Sequence, residues 1–118
     1  MKMINTPIRT LIDDKHQLKV LDYYGIEHQS LIAMEELSEL QKAISKAARY
    51  VSLYDIDRPS HDPYLRNMAE EIADVLICIR QMELYYGLPD DLIIYFVHKK
   101  VERNRARFEE KAHDRETD

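Results

Sequence analysis

Glycine and proline are scarce in this 118-residue chain, with only two of the first and four of the second. A protein built on tight turns and hairpins needs more of both. No stretch alternates apolar and polar residues in the way a half-buried strand would, so the composition leans toward helix. Tryptophan is absent and there is one cysteine, Cys78, which excludes an internal disulfide and suits a reducing compartment. No apolar run approaches the roughly 18 residues of a membrane span, and no cationic leader precedes an apolar core. There is no block of Lys and Arg either. The formal net charge is −5 with both signs interspersed, so nucleic acid is not expected as the main partner. A chain of this length is expected to be one domain over 1–118, soluble and cytoplasmic.

Four helical segments are expected, with short links that favour antiparallel neighbours and a four-helix arrangement. The first covers about 11–24 and closes at Gly25. The second covers about 28–51, where Ile32, Leu37, Leu40, Ile44 and Ala47 recur at steps of three and four. Residues 52–63 then crowd Asp55, Asp57, Pro59, Ser60, Asp62 and Pro63 into one loop. The third segment, about 64–86, stops at Gly87-Leu88-Pro89. The fourth starts near Asp90 and runs to about 111, with 112–118 expected to fray.

Two acidic clusters share one form: Glu35-Glu36-Leu37-Ser38-Glu39 on the second segment and Glu70-Glu71-Ile72-Ala73-Asp74 on the third. Side chains three apart lie on one helix face, so Glu36 meets Glu39 and Glu71 meets Asp74. Glu71 and Asp74 fall in line with Met68, Val75, Cys78 and Met82. Glu36 and Glu39 fall in line with Ile32, Leu40, Ala43 and Ala47. Both pairs therefore interrupt faces that should be buried, while Glu35 and Glu70 sit about 100° away, nearer the edge. A single such pair is an ordinary solvated helix surface. Two pairs on apolar stripes would repel one another and carry a desolvation cost of several kcal/mol per charge. Bound cations relieve that together, and carboxylate ligands without Cys or His in the clusters point to Mg²⁺ or Mn²⁺. Such an ion keeps waters and completes its shell with phosphate oxygens.

The fourth segment changes character halfway. The face that begins Ile93, Phe96, Val97 continues as Lys100, Arg103, Asn104 and Arg107. Lys and Arg suit phosphate oxygens, although cations near a helix C-terminus also simply complement its dipole.

The order Glu35-Glu36-x-x-Glu39, polar spacer, Glu71-x-x-Asp74, then Lys100-x-x-Arg103-Asn104 resembles the MazG-like all-α nucleoside-triphosphate pyrophosphatases, the superfamily that includes the dimeric dUTPases. The resemblance covers the second to fourth segments. It implies a four-helix MazG-like bundle acting as a homodimer or homotetramer, and hydrolysis of a nucleoside triphosphate to the monophosphate and pyrophosphate. By the same resemblance Glu36, Glu39, Glu71 and Asp74 would hold metal, and Lys100 and Asn104, with Arg103 beside them, would contact phosphate. Glu35 would serve as base or as an orienting group; the spacing does not separate these roles. Tyr23, Tyr24, Tyr85 and Tyr86 fit either an assembly surface or ordinary core and rim positions. The preferred base is not readable.

Two other enzyme readings fit less well. A di-iron bundle needs Glu-x-x-His on core helices, and only Glu110-x-x-His113 in the polar tail has it, with Asp13-x-x-His16 a looser version. His61-Asp62 is the dipeptide of a phosphohydrolase class but lies in the turn-rich loop. The alternative from another class is a non-enzymatic helical adaptor whose acidic faces meet a basic partner.

Overall fold

The computed structural model describes residues 7–55 and 57–117. All regular structure among them is helical, with no strand: α1 (Asp14–Tyr24), α2 (Ile26–Tyr50), α3 (Pro63–Tyr86) and α4 (Asp90–Thr117). Three short 3-10 turns, Ile8–Leu11, Leu53–Asp55 and Pro59–His61, lie before α1 and between α2 and α3. No described helix is long and apolar enough to cross a membrane. The chain divides into two compact units, Met1–Tyr86 and Gly87–Asp118.

Capping residues account for where the helices of the first unit begin. The first helix does not start at Leu11, as the apolar pattern suggests. Asp13 is extended and its carboxylate accepts from Lys15 N–H at 3.0 Å, so α1 begins one residue after it. Leu11 belongs instead to the preceding 3-10 turn. Gly25 alone separates α1 from α2. Its φ of 83° is open to glycine without strain, its N–H donates to Leu21 C=O, and its C=O accepts from Gln29 N–H. The second helix accordingly starts at Ile26, two residues before the position expected from the sequence.

Asp62 plays the same part at α3, accepting from Tyr64 N–H at 2.9 Å and Leu65 N–H at 3.0 Å. With Pro63 at the first helical position, where a missing N–H costs nothing, the entrance is fully specified. This explains the His61-Asp62 dipeptide as a helix start. Asp62→Ala is expected to lower stability by about 1 kcal/mol, read as a fall in the thermal midpoint.

Within the Met1–Tyr86 unit, α2 and α3 form the principal pair, and α1 packs on α3 and more lightly on α2. The buried apolar side chains are small: Ala33, Ala43 and Ala47 on α2, Val75 and Cys78 on α3, and Leu21 on α1. Ala43 is fully buried at 0% exposure, so the two helices approach closely there. Three buried glutamines, Gln17, Gln29 and Gln81, come one from each helix. The buried Glu83 accepts from Arg9 Nη2 at 2.7 Å and has Arg80 at 3.8 Å. Arg80 in turn grips Asp14 through two hydrogen bonds of 2.7 and 2.6 Å, joining α1 to α3. Those bonds hold the Asp14 carboxyl below its ordinary range.

The Gly87–Asp118 unit is essentially α4. Gly87 adopts φ 65°, a conformation that ends α3. Asp90 and Asp91 then open α4, where acidic side chains complement the helix dipole. The helix continues to Thr117 and does not fray from 112. Its last stretch has no Gly or Pro, and Glu109, Glu110, Lys111 and Ala112 are all good helix formers.

Candidate metal centre

The two acidic clusters meet, though unequally. Glu36 on α2 and Glu71 and Asp74 on α3 each bring a carboxylate oxygen to within 4.8 Å of the others. Glu36 and Glu71 are half-buried and Asp74 is exposed. The antiparallel pairing of α2 and α3 produces this: moving up one helix is moving down the other, so the two acidic stretches pass side by side. At such separations two ionised carboxylates repel by roughly 3–4 kcal/mol at an effective dielectric of about 20, and by less where solvent screens them.

The structure relieves this strain only in part. Burial pushes the Glu36 carboxyl above its ordinary value, and the charges of Asp74 and Glu71, with hydrogen bonds to both, push it further. Among the described residues, Glu71 Oε2 is a buried side-chain oxygen that accepts no hydrogen bond. A buried unsatisfied acceptor costs about 1–3 kcal/mol, more when charged. An unpartnered, buried carboxylate oxygen on one of three grouped acids fits a cation. The donor set is oxygen only, which suits a hard ion such as Mg²⁺ over a soft one.

The other acids expected at the site fall outside this group of three. Glu39 falls outside the group of three and accepts from Lys42 Nζ at 3.3 Å, one turn further along α2. Glu35 and Glu70 are exposed on the flank. Lys100, Arg103 and Asn104 line a depression of about 390 Å³ on α4 together with Arg107, Phe108 and Lys111. All are exposed, and the continuation of one helix face from apolar to cationic is as the sequence implies. Tyr23, Tyr24, Tyr85 and Tyr86 are all exposed, pairing edge to face within each adjacent couple, and are not core residues.

Sequence reasoning did not single out Cys78, Gln29 or Gln81 as neighbours of the site. Cys78 lies one turn beyond Asp74 and is buried; burial pushes its thiol up, and the charges of Glu36 and Asp74 push it further. Gln29 and Gln81 stand two turns from the acids on the same faces. Polar residues at apolar-stripe positions were the available signal. Comparison with family models, with curated proteins and with solved structures finds no match to this chain.

Proposed function

We propose that this protein is a magnesium-dependent nucleoside-triphosphate pyrophosphohydrolase. The observation that carries the proposal is the convergence of Glu36, Glu71 and Asp74 from two helices around an unpartnered buried oxygen of Glu71. Phosphates are the ligands that such an ion most readily shares, because Mg²⁺ retains several exchangeable positions when held by few carboxylates. The step from phosphate to a nucleoside triphosphate rests on the resemblance in motif order to the MazG-like enzymes.

In this reading Glu36, Glu71 and Asp74 hold the ion, and Glu39, one turn from Glu36 on α2, joins them once it leaves Lys42. The ion would neutralise phosphate charge and lower the pKa of a bound water. Glu35, exposed beside Glu36, would orient that water or take its proton. Lys100, Arg103 and Asn104 supply a point charge, a planar fork and an amide, three ways of meeting phosphate oxygens. Hydrolysis between the α- and β-phosphates consumes one water and releases the monophosphate and pyrophosphate. Assembly as a homodimer or homotetramer is part of the proposal. Leu31, Met34, Leu37 and Ile44 along α2 are all more than half exposed, an apolar row of the kind that association covers.

A pyrophosphate-release screen over the standard and several oxidised nucleotides, with Mg²⁺ and with EDTA, tests this reading. Turnover of at least one triphosphate, dependent on the metal, is expected. Absence of turnover by a folded protein that Mg²⁺ does not stabilise would leave the adaptor reading in its place.

A further inference from the structure

The buried glutamines form one directional chain. His28 Nδ1–H donates to Gln29 Oε1 at 2.8 Å, Gln29 Nε2 donates to Gln81 Oε1 at 2.9 Å, and Gln81 Nε2 donates to Gln17 Oε1 at 2.8 Å. Gln29 and Gln81 are 5% and 4% exposed, among the most buried residues of the chain. Burying amides is unfavourable unless each is bonded, and even then an apolar pair of similar volume is usually as stable. Stability therefore does not account for them. Their position suggests what does. Gln29 is seven residues before Glu36 on α2, and Gln81 is seven residues after Asp74 on α3. Seven residues return to nearly the same helix face about 10.5 Å along the axis. The Gln29–Gln81 bond and the Glu36–Asp74 approach are thus two rungs of one antiparallel ladder, in the same register.

Apart from the stacking of Tyr50 on Tyr64 at one end, with ring centroids 5.3 Å apart, the rest of the α2–α3 interface says little about register. Its buried side chains are Ala33, Ala43, Ala47, Val75 and Cys78, small residues with few deep knobs to interlock. A one-turn slide of α3 along α2 would cost such a surface little, yet would move Asp74 about 5 Å from Glu36. Mutual repulsion of the acids favours that slide when no cation is present. We propose that Gln29 and Gln81 are positioning residues for the metal centre: their hydrogen bond fixes the axial register of α2 against α3, and that register brings Glu36 opposite Glu71 and Asp74. Fixing register is the best-attested use of a buried polar pair between helices. This inference rests on the acidic group being a metal site.

Titration of the full chain with Mn²⁺, followed by the loss of the free-ion electron spin resonance signal, tests it. The Gln29→Leu/Gln81→Leu double variant is expected to keep its helical content, with a thermal midpoint in EDTA that falls no further than that of Gln17→Leu, because it too leaves one buried glutamine, Gln17, without its partner. Its Mn²⁺ affinity is expected to fall about tenfold or more, the scale of losing a group that orients a ligand. Gln17→Leu is the control. It leaves the Gln81 amide unpaired but spares the α2–α3 rung, so its midpoint falls while Mn²⁺ affinity stays within about twofold. If the double variant does not fold, Gln29→Asn, too short to reach Gln81 in this register, is titrated instead with the same expectation. Wild-type Mn²⁺ affinity in the double variant, or equal weakening in Gln17→Leu, overturns the positioning role and leaves the metal centre standing. No Mn²⁺ binding by the wild type overturns both.

Discussion

Glu71→Gln is expected to reduce metal-dependent triphosphate hydrolysis by at least about 100-fold in kcat/KM, roughly 2.7 kcal/mol of transition-state stabilisation. Glutamine keeps the shape of the side chain and removes its charge, so packing is nearly unchanged. The effect on stability should have opposite signs with and without the ion. In EDTA the substitution removes one of three mutually repelling carboxylates and the buried, unpartnered Oε2, so the thermal midpoint should hold or rise. In Mg²⁺ the wild type gains about 2.7 kcal/mol when the ion is at 100 times its dissociation constant, and the variant should gain almost none of this. A single unfolding series in the two buffers separates a ligand from a residue that merely supports the fold. Glu39→Gln provides the contrast. Glu39 is paired with Lys42 and lies outside the group of three, so a loss as deep as that of Glu71→Gln would show that it moves into the site when the ion binds. A Glu71→Gln protein with undiminished Mg²⁺ stabilisation and activity would remove the metal centre from consideration.

The amino-acid pattern announced the four helices, the turn-rich loop and the acidic faces because each of these depends on neighbours within about two helical turns. Gly25 and Gly87-Leu88-Pro89 mark real helix ends, and the periodicity of α2 and α3 is strong. The start of α1 was misplaced because Leu11 continues the apolar spacing, while Asp13 offers its carboxylate to the backbone two residues later. Caps overrule periodicity at the ends of helices. The acidic pairs were legible as polar interruptions of apolar stripes, but which acids converge was not. Glu36 and Glu39 have the same spacing as Glu71 and Asp74, and only the crossing of α2 and α3 selects Glu36 over Glu39. Contacts between distant positions were invisible for the same reason. Arg9 finds Glu83 across 74 residues and Gln29 finds Gln81 across 52. No local pattern in the sequence pairs them.

Acidification is expected to stabilise the metal-free protein and to weaken its hold on Mg²⁺. The Glu36 carboxyl titrates above the ordinary glutamate value of 4.5 in the folded chain, first through burial and then through Asp74 and Glu71. Between 4.5 and that raised value the folded state carries a proton that the unfolded state has lost. Unfolding free energy therefore falls as pH rises through this window, and the contribution is absent above it. Asp14, held low by Arg80, acts in the opposite sense. Its contribution is full above the ordinary aspartate value of 3.8 and is lost only below it, so the two windows do not overlap. Mg²⁺ needs ionised ligands and must displace the Glu36 proton. While Glu36 is protonated in the free protein, the apparent affinity should rise by up to about tenfold per pH unit, the slope for one displaced proton. The measurable result is a pair of thermal-midpoint curves taken upward from the ordinary glutamate value of 4.5. The EDTA curve declines as pH rises, the Mg²⁺ curve is flatter or climbs, and the gap between them widens toward neutrality. Glu36→Gln should flatten the EDTA curve, because the group that binds the proton is gone, and should narrow the gap at neutral pH, because a ligand has gone with it. Curves that stay parallel across the range would mean that Glu36 gives up no proton to the ion, and would overturn the coupling of ion binding to its titration.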